Sequence, residues 1–441
     1  LTTSLIGQNG RRGALMLSIP CDHPDLEEFI EIKSDLNKIN KANLSVRVTN
    51  EFMEAVRDDK PYTLSFTREE TGEVIEKTIQ AKDIFRKLCE LNWRVAEPGI
   101  LYWDQINYWN LLSEDPRFEF AGVNPCAEEP LPAGGSCCLG SLNLSAFVSE
   151  DGKFLFGDFE EAVYESVEAM NDILDEGLEL HPLQEQRESV RDWRQIGVGI
   201  MGLADMLIKM SIRYGSEESI EICDRIGGIM ADAAIFASSK QAMKHGAYPK
   251  FYYDAIVGSE FYISNVSSAT TAMVGLYGLR NSQLLTIAPT GTTSMMTQTT
   301  SGIEPIFANY YTRTTQSLDG YDVEHKVYTP IVKEYMEKHG ITDDKDLPDY
   351  FITARDLNYG ERIDMQAVWQ NHIDASISST VNVPNDFTID DVYDLYMLAW
   401  ERGLKGVTIF REGCERAAIL NTVPSKTTKN ESNEGAEAVT E

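Results

Sequence analysis

Basic residues are in short supply in this chain. Its 39 Lys and Arg face 70 Asp and Glu, giving a formal charge of −31 at pH 7. A field of that sign repels nucleic acid and anionic membranes, so neither is expected as a partner. It also repels nucleotides, so any phosphate group must be held by a locally built site. Long apolar runs are missing, and nothing reads as a bilayer span or a signal peptide. The 6 histidines are scattered, and no Cys/His spacing fits a metal centre. The 7 cysteines fall at irregular intervals, which excludes a secreted disulfide framework and favours a cytoplasmic protein with a few working thiols.

What is present is ordinary for a soluble globular protein, with 42% hydrophobic and 25% charged residues. A length of 441 residues admits two or three domains, or one large barrel. The chain starts at Leu1 rather than Met, which reads as a start inside a longer gene product or a trimmed one. Residues 14–20 read as a buried strand, and His23-Pro24-Asp25 starts a helix running to about Lys33. Residues 44–48 alternate like a strand, with Asn50 as the cap of the next helix. Asp158 opens a helix in which Phe159, Val163, Val167, Met170 and Leu174 recur at helical spacing, closed by Gly177. A long helix fills 216–245, residues 283–288 form a short apolar run, 388–402 are amphipathic, and 405–410 read as a last strand. Strands alternating with helices imply an α/β fold with a largely parallel sheet or barrel. The folded body is expected to span 1–420, and the polar stretch 421–441 is expected to be disordered.

Chemistry concentrates in Asn124-Pro125-Cys126-Ala127-Glu128, followed by Ser136-Cys137-Cys138-Leu139-Gly140-Ser141. In an extended segment, residues two apart share a face, which would align Asn124, Cys126 and Glu128. A hydrogen bonder, a sulfur and a base side by side suit radical or nucleophilic sulfur chemistry on a polyol. The same spacing selects Glu128 over Glu129, since adjacent acids usually mark a solvated loop. A second chemical segment is Ala288-Pro289-Thr290-Gly291-Thr292-Thr293-Ser294, where a strand ends and a helix opens. Free N–H groups and hydroxyls at a helix start can cradle phosphate without a cation. Cys89 and Cys223 read as core, and His372 as a structural hydrogen bonder.

These motifs, together with Ser301-Gly302-Ile303-Glu304-Pro305, Asp192-Trp193-Arg194-Gln195, Ser378-Ser379-Thr380-Val381 and Gly403-Leu404-Lys405-Gly406, resemble the catalytic subunit of ribonucleotide reductase. The resemblance is collinear over nearly all of residues 5–420 and is nearest to the adenosylcobalamin-dependent class. It implies a ten-stranded α/β barrel of two antiparallel half-barrels, with a finger loop carrying the radical cysteine to the centre. It also implies that Cys126 becomes the thiyl radical that abstracts the 3′ hydrogen of ribose. Glu128 would take the 3′ hydroxyl proton, and Asn124 would bind the ribose hydroxyls. Cys137 would be one of two reducing thiols, with Cys138 the less favoured neighbour. Pro289, Thr290, Gly291, Thr292 and Thr293 would hold the substrate phosphates. Lys33, Asn37, Lys38 and Asn40 would belong to the loop that reads the base.

Relatives served by a separate metalloradical subunit relay the radical through a stacked tyrosine pair. By alignment that pair falls at Thr408-Ile409, and neither residue can be oxidised at a useful potential. Adenosylcobalamin is therefore the expected radical source. The partners implied are a ribonucleoside di- or triphosphate, deoxynucleotide or ATP effectors, and a thioredoxin-like reductant. The second reducing cysteine and much of the effector site are expected upstream of this chain, on a separate N-terminal polypeptide, a longer chain or a homodimer partner. Two alternatives stand beside this reading: a catalytic subunit served by a metalloradical partner, and a non-catalytic nucleotide-binding or partner-binding half of a split reductase.

Overall fold

A computed structural model describes residues 14–34, 39, 42–316 and 322–415. Asn37, Lys38, Asn40 and the tail 421–441 lie outside the described residues. Strand β1 (Leu15–Pro20) pairs in parallel with β2 (Ala42–Val48), and β2 in parallel with β3 (Gly99–Tyr102). The same architecture also takes in β4 (Leu139–Asn143), β5 (Gly197–Met201), β6 (Thr380–Val383) and β7 (Gly406–Arg411). β7 runs parallel to β6 and antiparallel to β3. β4 and β5 form a separate parallel pair. Single parallel bridges, Val198 to Leu285 and Ile287 to Ile377, carry the pairing from β5 to the residues just before β6.

The resulting order is β1-β2-β3-β7-β6, then residues 285–287, β5 and β4. The first three strands run one way and the other five segments the opposite way, meeting at the β3–β7 contact. This is a mixed α/β architecture in two parallel sets. The described residues do not close it into a ring of ten strands.

Parallel strands covered by helices on their outer face are buried and read as apolar runs. β5 is buried at every position. Its Gly199 is required there, because a Cβ would collide with the Thr286 carbonyl of the neighbouring segment. Around the strands pack helices α1 (Ala81–Val95), α2 (Phe156–Gly177), α3 (Glu217–His245), α4 (Gly291–Thr297), α5 (Tyr359–Gln370) and α6 (Ile389–Glu401). All five residues of the expected apolar stripe of α2, Phe159 through Leu174, are buried. Phe159 is fully buried against Phe147 and Phe154. Phe159→Ala is expected to cost about 3–5 kcal/mol of unfolding free energy, read as a lower denaturant midpoint.

Two helix starts differ from expectation. Thr49, not Asn50, caps the helix Asn50–Arg57: its side chain accepts from the Phe52 N–H, while Asn50 accepts from the Trp400 indole. Helix α2 begins at Phe156, ahead of Asp158. Cys89 and Cys223 are buried core residues. His372 binds Asn265 and Asp224 through its two ring nitrogens, as a structural residue does. No helix among the described residues is long and apolar enough to cross a membrane.

Candidate active site

Residues Gly122–Val123 and Pro130–Leu131 pair antiparallel, so Asn124 to Glu129 form the tip of a hairpin. The tip is a turn, not the extended segment that two-residue spacing supposes. The Ala127 N–H donates to the Asn124 carbonyl at 2.9 Å. Ala127 takes φ +65°, the left-handed residue that follows a turn in many hairpins. Asn124 closes the loop from both sides. Its N–H donates to the Glu129 carbonyl at 3.1 Å, and its Oδ1 accepts from the Glu129 N–H at 3.1 Å.

The turn presents Cys126 outward and tucks Glu128 inward. Cys126 is exposed and opens on a cavity of about 70 Å³ whose walls include Asn43, Ser45, Glu97, Ser379 and Thr408. These come from β2, β7 and the approaches to β3 and β6, so the hairpin tip faces the place where the two strand sets meet. Protein packed around the rest of the side chain raises the thiol to about 11, burial first and the Glu128 charge second. A thiol held in its S–H form retains a hydrogen atom to exchange.

Glu128 is 3% exposed. Its carbonyl accepts from Thr286 Oγ1 at 2.6 Å and from the Ser376 N–H at 3.0 Å, which ties the hairpin to the strand set around β5. Carboxyl Oε2 has no hydrogen-bond partner among the described residues. Burial raises this carboxyl above the ordinary range, opposed by its own backbone N–H and the Asn124 side chain. A carboxylate in that setting takes up a proton from an alcohol more readily than a solvated one does.

Glu129 is a residue that the sequence reading set aside. It is not in a solvated loop: it is 1% exposed, with Gln283 Nε2 donating to its Oε2 at 2.6 Å. Burial, with the neighbouring charges of Glu128 and Asp374, raises it well above the ordinary carboxylate range. Gly197 makes room for it, since a Cβ there would meet Glu129 Oε1. Pro130, opening the return strand right after Glu129, is the one local hint that this residue turns inward.

The vicinal thiols separate. Cys137 is exposed and lies in the field of Glu129 and Glu128, which with burial as the leading cause raises it to about 12. Cys138 is half-buried against the core beside α2, its Sγ 3.9 Å from the Met170 carbonyl. Adjacent residues leading into β4 point to opposite sides; Cys137 lies in the field of both carboxylates, Cys138 in that of Glu129 alone.

Residues 284–287 leave the sheet toward the threonine-rich segment. Thr286, which holds Glu128, stands four residues before Thr290, about 13 Å along an extended chain. Thr290 takes φ +51°, and its Oγ1 accepts from the Gly302 N–H at 2.9 Å. Gly291, Thr292 and Thr293 are exposed in the first turn of α4, where backbone N–H groups have no partner inside the helix. Pro289 is half-buried ahead of them.

Lys33, expected on the loop that reads the base, stands in the short helical turn Ile32–Ser34. It is 5% exposed, and its Nζ donates to the Ala42 carbonyl at 2.7 Å and pairs with Glu97 Oε2 at 2.7 Å. Thr408 is exposed and lines the cavity with Cys126, while Ile409 is buried.

The family profile described as "Ribonucleotide reductase, barrel domain" matches residues 2–410. A Thermoplasma acidophilum protein named vitamin B12-dependent ribonucleoside-diphosphate reductase is 32% identical over 460 aligned residues, covering 100% of this chain and 56% of the relative. A Mycobacterium tuberculosis protein of the same name is 32% identical, covering 94% of this chain and 59% of the relative. A Treponema pallidum protein, ribonucleoside-diphosphate reductase subunit alpha, is 25% identical over 91% of this chain. The chain spans about half the length of the curated relatives it matches. With a profile match over most of its length, and with the hairpin thiol, buried carboxylate and second thiol gathered at one site, this chain belongs to the ribonucleotide reductase barrel-domain family.

Proposed function

We propose that the chain is the catalytic part of a ribonucleotide reductase that makes 2′-deoxyribonucleotides through a radical at Cys126. The observation that carries this reading is the hairpin tip, where an exposed Cys126 opens on a cavity next to a buried Glu128. Cys126 sulfur takes the 3′ hydrogen of the ribose, and Glu128 takes the 3′ hydroxyl proton. Asn124 orients the loop and donates toward the ribose hydroxyls, while Cys137 is one of the two reducing thiols. Thr290, Gly291, Thr292 and Thr293, after Pro289, receive the substrate phosphates. The two strand sets are two half-barrels of a ten-stranded barrel, and the hairpin is its finger loop. Deoxynucleotide or ATP effectors and a thioredoxin-like reductant complete the system.

The residues around the thiol fit adenosylcobalamin as the radical source. Ser45, Ala96, Gly99, Ser379 and Thr408 are all small, and they leave the cavity beside Cys126 open. Of these, Ser45, Gly99, Ser379 and Thr408 would face the adenosyl group. The coenzyme supplies a carbon-centred radical on homolysis of its cobalt–carbon bond. The protein's part is to hold Cys126 as a thiol, keep Glu128 dry and exclude water.

The test is to supply the purified protein, joined by the N-terminal segment expected to carry the second reducing cysteine, with adenosylcobalamin, a ribonucleoside diphosphate and a dithiol. Deoxynucleotide is expected without any second metalloprotein, and a requirement for an iron or manganese protein would refute the assignment. In the same assay Cys137→Ser is expected to lose about a hundredfold or more in multiple turnover, because a dithiol step cannot run on one sulfur. Cys138→Ser keeps most of it, because that side chain faces the core.

A further inference from the structure

The peptide that carries the Cys126 thiol is held by a residue 82 positions before Pro125 in the sequence. Asn43 Nδ2 donates to the Pro125 carbonyl at 2.7 Å. The acceptor fixes the orientation of the amide, because a carbonyl oxygen can only accept. Pro125 and Cys126 are the two central residues of the turn closed by Ala127 N–H and the Asn124 carbonyl. The bonded carbonyl therefore belongs to the central peptide unit of that turn.

The central peptide plane is the softest degree of freedom in such a turn. A flip of that plane converts one turn type into the other and swings the side chain that follows. Of the turn residues only Ala127 has a positive φ, which excludes the form that needs a left-handed third residue. Sterics at Cys126 thus set the turn type, but they leave the tilt of the plane loose. The Cys126 N–H, the other polar group of that peptide, has no acceptor among the described residues. The remaining handle on that peptide is its carbonyl, and Asn43 holds it.

Asn43 is suited to this task by where it stands. It lies on β2, its backbone registered against Met16 of β1, and it shares the cavity wall with Cys126. A strand residue is a firmer mount than a loop residue. The bond also joins the hairpin to the β1-β2-β3 set, while Thr286 and Ser376 join it to the opposite set. The tip is thereby pinned from both sides of the cavity.

We infer that Asn43 is a positioning residue that locks the Pro125–Cys126 peptide plane and so sets the direction of the Cys126 thiol in the cavity. Its consequence for turnover rests on the functional reading above, but the geometric part does not.

The test uses the intact protein with Asn43→Asp and Asn43→Ala. Asp keeps the shape and removes the donor; Ala removes the donor without adding a charge. Iodoacetamide labelling is followed at each cysteine by peptide mass spectrometry, with the exposed Cys137 as internal reference. Thermal unfolding confirms that each variant is folded. Both variants are expected to change the Cys126 labelling rate relative to Cys137 by about threefold or more. They are also expected to lower kcat by about tenfold or more with KM within about twofold, since small misplacements of a reacting group are costly. A folded Asn43→Asp protein with wild-type labelling ratio and wild-type kcat would overturn the inference. If the wild-type protein, supplied with that N-terminal segment, reduces no ribonucleotide, the functional reading fails while the labelling ratio still decides the role of Asn43.

Discussion

Replacing Cys126 with Ser is expected to remove ribonucleotide reduction by at least about four orders of magnitude, with the fold unchanged. An alcohol O–H bond is much stronger than a thiol S–H bond, so a serine does not give up its hydrogen to form the radical, and a near-isosteric change removes the reacting atom itself. Residues that act as a unit show losses of this size when one is deleted. Stability should barely move, by about 0.5 kcal/mol or less, because Cys126 is exposed on a hairpin tip and supports no core packing. Deoxynucleotide formation and the thermal unfolding midpoint, measured on the same sample, separate these effects. A parallel loss of stability would instead mark Cys126 as a packing residue.

Glu128→Gln is the second large effect, a loss of about 10²–10⁴-fold in kcat, the usual contribution of a positioned proton acceptor. The amide keeps the shape and the Asn124-held loop but cannot take a proton. The wild-type rate has a pH signature with a definite sign. Burial raises the Glu128 carboxyl, so its ionised form accumulates only at higher pH than for a solvated glutamate. Activity should therefore rise with pH along a limb displaced above the ordinary carboxylate range, and Glu128→Gln should abolish that limb. Stability runs the other way. A carboxyl raised in the folded state adds stability that is present at low pH and lost as pH climbs through its folded value. A rate profile flat across the weakly acidic range would remove Glu128 from the role of base.

Much of the site was legible in the sequence because its motifs are local. Cys126, Glu128 and Cys137 sit within a short span, and the helical stripe of Phe159 to Leu174 announces itself by spacing. Face assignments failed where they assumed an extended chain. Asn124 bonding across to Glu129 and the left-handed Ala127 turn the segment into a hairpin tip, and a two-residue period has no meaning there. Glu129 was misplaced for the same reason. Adjacent acids are commonly solvated, but a hairpin that opens its return strand at Pro130 carries Glu129 into the protein beside Gln283. Lys33 repeats the pattern. A lysine in a polar run looks solvated, yet Glu97, far off in sequence, gives it a buried partner. The Asn43 bond to Pro125 has no trace in composition or spacing, because only the packing of β2 against the hairpin creates it. The separation of Cys137 from Cys138 likewise depends on which side of the strand faces α2.

The most direct test of a sulfur radical at the hairpin tip is electron paramagnetic resonance on freeze-quenched protein supplied with adenosylcobalamin and a ribonucleotide, prepared with ordinary cysteine and with cysteine deuterated at Cβ. The account predicts a transient signal that narrows with the label and is absent from Cys126→Ser. A signal of unchanged width in labelled protein, persisting in Cys126→Ser, would contradict it.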